Sequence, residues 1–359
     1  MPIDFGPDRW ASVKNNAQAW WDGKLDRPLI QMRVGGRDPG RADPPLPLRH
    51  FTAHYGREIT PEAIVDRWDY NLSCTEYLGD AFPTVWPNFG PGVLAVFLGA
   101  EMETDERTVW FHPTVEKPVA DCRLTLDLDD PVLARIRNVC RAAHDRWEGT
   151  VQVGMTDLGG NLDILSTFRP GEQLLLDLYD DPAAVKRVTW EAHEAWWAAF
   201  DDLNATLQPA NPGYTAWASI FSESSYYMLQ CDFCYMIGPD MFDEFVKPEL
   251  AASCRRLVNP FYHLDGPGQL PHLDSLLSIP ELKGIQWVPG AGAPPPGEWP
   301  DVYRRIREAG KLAQVLGGME DFNAVVEQLG SAEGLVYIGG ATADRRTEVL
   351  EFLERHGVA

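Results

Sequence analysis

Three features of the sequence predict a (β/α)8 TIM barrel, an α/β fold of parallel strands alternating with helices. From about residue 210 onward, short apolar runs alternate with amphipathic segments, the order of βαβ units. Each run is almost continuously apolar, as expected of strands covered by helices on both faces. No glycine-rich phosphate turn follows the first strand, where a doubly wound nucleotide-binding sheet would usually carry one.

Taken in order, "PDRWASVKNNAQAWWDGK" reads as an N-terminal helix and "RPLIQMRV" as the first strand. "TPEAIVDRWDYNLSCTEYL" reads as a helix, with Thr60 at the cap and Pro61 in the first turn. Residues 98–127, containing "ERTVWFHP" and "CRLTLDL", alternate in polarity and predict an inserted β-hairpin. Two further helices open on Asp-Pro, at 130–131 and 181–182, with the strand "TVQVGMTD" between them. Five units then follow, each a strand and a helix. Their strands are "YTAWASI", "PFYHLD", "KGIQWVP", "KLAQVLGG" and "GLVYIGG". The Pro/Gly-rich stretches 38–48 and 289–300 are loops rather than linkers, because the alternation resumes directly after each. The sum is about eight units in one domain, residues 1–359.

A chain of 359 residues, 45% of them hydrophobic, is long enough for this fold, which needs about 250 residues. The net charge of −22 argues against binding nucleic acid or an anionic membrane, since both recruit dense Lys/Arg patches. A small-molecule partner is expected instead. No stretch approaches the roughly 18 apolar residues of a membrane span, and "MPIDFGPDRW" lacks a basic region followed by an apolar one. A cytoplasmic protein is expected, with its six cysteines reduced.

In parallel barrels the chemistry sits at the C-terminal ends of the strands. Those ends here carry Arg33 and Arg37, Asp157, Ser222 and Glu223, His263 and Asp265, Trp287, and Glu320. Asp265 ends "FYHLD" and either supplies acid/base chemistry or caps the Gly-Pro-Gly turn after it. His263 lies two residues earlier on the same side of an extended chain. Its bland alternative is a satisfied core histidine. Asp157 ends a clean strand, Glu223 could merely start a helix, and Asp163 falls within a helix and is the poorer candidate. Trp287, Trp217 and Trp299 lie at or just beyond strand ends, where indoles can wall a ring-shaped ligand. The "CDFC" at 231–234 is a lone CxxC and reads better as buried thiols than as zinc ligands. Arg33 and Arg37 could clamp carboxylates or remain solvated.

"PLIQMRVGGRDP" resembles the N-terminal signature of the uroporphyrinogen decarboxylases, Met-Arg-Gln-Ala-Gly-Arg after a similar apolar strand. "GPG" at 90–92 and "LLLDLYDDPAAVKRV" at 174–188 resemble that superfamily too, so short motifs spread the resemblance over most of the chain. It implies a (β/α)8 barrel, a deep pocket at the strand ends, a possible homodimer, and substrate carboxylates held by residues matching Arg33 and Arg37. The superfamily also contains barrels that transfer methyl groups from corrinoid proteins to thiols, with zinc held by His-x-Cys and a distant Cys. Here "YHLDG" puts Asp265 in the place of that cysteine, "LVYIGG" lacks the late one, and "YIGGATADR" lacks the decarboxylases' late histidine.

The leading expectation is therefore a metal-free enzyme without a cofactor, using carboxylate acid/base chemistry on a small polar ring, plausibly in glycoside cleavage. Asp265 with Asp157 or Glu223 would be the pair, assisted by His263. Trp287 and Trp217 would form walls, and Asp232 and Glu320 would bind substrate. The alternatives are decarboxylation of a carboxylate-rich substrate gripped by Arg33 and Arg37, corrinoid-linked methyl transfer with zinc, and a catalytically silent ligand-binding barrel.

Overall fold

A computed structural model describes residues 3–208 and 210–358. Its strands are β1 (Leu29–Gly35), β2 (Thr75–Gly79), β3 (Thr84–Val85), β4 (Ala100–Thr104), β5 (Val109–Pro113), β6 (Gln152–Val153), β7 (Tyr226–Gln230), β8 (Asn259–Asp265), β9 (Gly284–Val288), β10 (Leu312–Val315) and β11 (Leu335–Ala341). Seven of them form one sheet in the order β2-β1-β11-β10-β9-β8-β7. Every pairing in it is parallel except β1 with β2. Helices alternate with strands along the C-terminal half, as the periodicity predicts.

Elements in both halves of the chain differ from the sequence expectation. The helix from Pro61 stops at Ser73, and Thr75–Gly79 becomes β2, running antiparallel to β1. "CTEYLG" contains two β-formers, Thr75 and Tyr77, and edge pairing captures them once the helix ends. "YTAWASI" forms no extended strand; the chain folds back on itself through one antiparallel bridge, Tyr214 to Ser222. The expected hairpin is present as β4 and β5, shorter than 98–127.

β3 and β6 make a separate parallel pair. Backbone bonds lead onward from it: Gly154 N–H donates to Val85 O at 2.7 Å and Met155 N–H to Thr215 O at 2.9 Å. On the other side, Asp80 N–H donates to Ile30 O at 2.7 Å.

The N-terminal helix Pro7–Trp21 closes the end of the sheet where the parallel strands begin. Trp20 Nε1–H donates to Leu335 O at 3.1 Å and Trp21 Nε1–H to Phe221 O at 2.8 Å, and both rings pack on Phe261. These large apolar faces pack tightly against the sheet. The opposite end, where strands run out into polar loops, carries the strand-end polar residues.

Candidate active site

Parallel strands in register point equivalent side chains to the same face. Gln230 is opposite His263, His263 opposite Gln286, and Gln286 opposite Gln314, so one polar row crosses four strands. One pleat further along, the same face carries Asp265 on β8, and on β1 it carries Gln31 and Arg33. The Gln286 amide nitrogen donates to Gln314 Oε1 at 2.8 Å, which turns the Gln286 carbonyl oxygen toward His263 Nδ1. This contact orients the His263 ring through Nδ1. The edge of its ring meets Trp217, with centroids 5.2 Å apart.

Asp232, directly after β7 and Cys231, completes the centre. One ligand atom each from Asp232, His263 and Asp265 lies within 4.8 Å of the others, with His263 and Asp265 half-buried and Asp232 in contact with solvent. Behind them stand two more carboxylates. Asp163, near the start of the helix Asn161–Phe168, accepts the backbone N–H groups of Asp232 at 2.9 Å and Phe233 at 2.7 Å. Asp157 is buried and accepts the Gly159 N–H at 2.9 Å. Burial is the main cause that pushes Asp157 up to about 7, and the charge of Asp232 adds to it. Burial and then Asp232 hold Asp163 well above the usual carboxylate range. Asp232 is raised too, first by desolvation, against the pull of His263. With all three raised, Asp157, Asp163 and Asp232 do not all ionise together near neutrality.

The local backbone that delivers these groups is tightly constrained. A Cβ on Gly160 would lie 2.5 Å from Gln230 O, and Asn161 sits in the left-handed region at φ 46. Asn161 is held there because its Nδ2 donates to Glu249, buried between helices, whose other oxygen meets His193 Nδ1 at 2.5 Å and Ser253 Oγ at 2.9 Å. This strut fixes the turn that aims Asp163 at Asp232.

Asp163 and Asp232 also floor a cavity of about 720 Å3, walled by Trp110 and Phe111 of the β4–β5 hairpin and by Phe233 and Met236. Asp232 belongs to both the cavity and the His263–Asp265 centre.

The other sequence candidates fall in different places. Glu223 is exposed, and so is Glu320, in the first turn of Met319–Leu329 among Glu348 and Arg355. Neither joins the cluster. Trp287 is completely buried, edge-on to Trp299, so the indole that faces the cavity is Trp110. The two arginines part company. Arg33 is enclosed on the site face and donates to Ser219 Oγ at 3.2 Å, with its pKa lowered by burial. Arg37 is turned the other way, donating to Ser73 O at 3.0 Å and approaching Asp4.

Sequence reasoning missed Gln31, Gln286 and Gln314. The signal was available as a glutamine set in the middle of each of three apolar strands. Nothing in the sequence marked Trp110 or the Asn161–Glu249 strut.

The donor set of the centre, one imidazole and two carboxylates, suits an oxygen-preferring divalent ion better than the thiolate zinc of the methyl-transfer barrels. Cys231 and Cys234 of "CDFC" are both buried, and burial pushes both thiols up. Comparison with models of known protein families and with curated protein sequences finds no match.

Proposed function

We infer that the chain is a single (β/α)8 barrel enzyme of the uroporphyrinogen decarboxylase-like kind, acting on a small polar ring, plausibly by cleaving a glycosidic bond. The backbone bonds running from β3 through β6 to the 213–222 segment are what would close the sheet into a ring. The observation that carries the chemistry is the convergence of Asp232, His263 and Asp265 within 4.8 Å, opening through Asp232 onto a cavity with an aromatic wall. Carboxyl groups this close match the spacing of about 5 Å used when one carboxylate attacks the sugar carbon and the other serves as acid, then base. Asp232, open to the cavity and accepting no hydrogen bond from any described residue, is assigned the attacking role. Asp265, next to His263, is assigned the proton to the leaving oxygen. The scheme needs no metal and no cofactor.

The test is turnover of a panel of aryl glycosides and oligosaccharides by the parent protein and by Asp232→Asn and Asp265→Asn. Each substitution is expected to cost about 10²- to 10⁴-fold in kcat while folding is retained. Unchanged turnover in both variants would sink the reading. Exhaustive chelation is expected to leave that turnover intact, and a loss restored by a divalent ion would reassign the three groups as metal ligands.

One observation favours a second reading. Arg33 is enclosed on the site face without a carboxylate partner among the described residues, so it could hold a substrate carboxylate in a decarboxylation.

A further inference from the structure

The lining of the cavity beside the centre restricts the charge of what can enter it. Its titratable residues are Asp163, Asp232, Glu172 and His112, and no Lys or Arg is among the described residues that line it. The nearby guanidiniums are committed elsewhere. Arg169 is engaged by Asp177 at 2.9 Å and by Lys117 O, and Arg33 by Ser219. Asp163 spends its carboxylate on two backbone amides, whereas the Asp232 carboxylate accepts no hydrogen bond from any described residue. An open acceptor thus stands at the floor of a cavity whose wall is Trp110, 56% exposed, and Phe111. A net charge of −22 adds a field of the same sign.

Resting on the reading of this site as a ring-binding acid/base centre, we propose that the cavity selects a small ring bearing a protonated amine, of the amino-sugar class, with its ammonium on Asp232 and its ring face on Trp110. An ammonium offers three donors and no acceptor, which matches a floor that offers open acceptors and no cationic donor. It also gains from the face of an indole. A neutral ring would fill the same space but leave Asp232 without a charged partner. A ring bearing a carboxylate would set like charges against each other in a partly dehydrated site.

Three rings of nearly equal shape make the test: glucosamine, glucose and glucuronate, titrated calorimetrically into the intact protein just below neutrality. Glucosamine is expected to bind about tenfold or more tighter than glucose, with glucuronate weakest. Asp232→Asn should bring glucosamine down to the affinity of glucose. Trp110→Ala, at an exposed position, should weaken the rings without erasing their order. Equal affinities, a preference for glucuronate, or no binding of any ring would overturn the proposal. Glycoside turnover without preference for the amine would remove this inference and leave the proposed activity standing. Preference for the amine without turnover would do the reverse.

Discussion

Asp157 shows how far a single residue in this site departs from solution behaviour. Its carboxyl titrates at about 7 in the fold because burial disfavours the charge, against about 4 in an unfolded chain. Between those values the folded state holds a proton that the unfolded state has lost, so stability falls as pH rises through the window and stays lower above it. Asp157→Asn removes the titration and can still accept the Gly159 amide through its side-chain oxygen. We expect the variant's stability relative to the parent to improve by a few kcal/mol from the acidic to the alkaline side of that window, measured by denaturant unfolding at several pH values. A difference that does not change with pH would contradict the assignment. The residue scale is also where the sequence was most readable for Asp265 and His263, because a strand-end position fixes both face and depth. It was least readable for Asp163. A helix position argued against that residue, and only the fold brings the start of its helix against the amides after β7.

At the scale of elements, two buried carboxylates act as joints rather than as chemistry. Glu249 links the helix Lys247–Arg256 to Asn161 and to His193 on Pro182–Leu207. Glu249→Ala leaves buried polar partners unpaired and is expected to cost about 1–3 kcal/mol. Because the strut sets the turn ahead of Asp163, turnover should fall more than substrate affinity does. A matched loss of both would mean that the strut serves stability alone. Asp80 is 3% exposed and receives Arg27 in bidentate fashion at 2.8 and 2.9 Å, together with Asn16 and the Ile30 amide. It ties the N-terminal helix to β1 just beyond β2. Asp80→Ala strands a half-enclosed guanidinium and should destabilise the fold by about 3–5 kcal/mol by chemical denaturation. Neither joint was visible beforehand, because partners 50 or more residues apart leave no local pattern. The strand–helix units of the C-terminal half were visible, because each writes its own periodicity. β2 was not, since a helix-compatible run was captured by pairing with β1.

For the whole molecule, the N-terminal helix packs on one end of the sheet, and the other end is lined by Gln31, Arg33, His263 and Asp265. Polar groups converge there, and two of them, the Gln31 amide nitrogen and oxygen, are buried without a partner. On this face beside Arg33, an unpartnered buried amide is free to meet a ligand's polar group. Alternation and charge revealed the architecture and the acidic character, but the choice among carboxylates depended on which loops meet in space. The most direct measurement is a structure of crystals soaked with a mixed panel of sugars and polycarboxylates, with metal content determined on the same protein. The account predicts a sugar ring against Trp110, flanked by Asp232 and Asp265, with no metal between them. A polycarboxylate held by Arg33, with the acidic residues turned away from it, would contradict the account and favour decarboxylation.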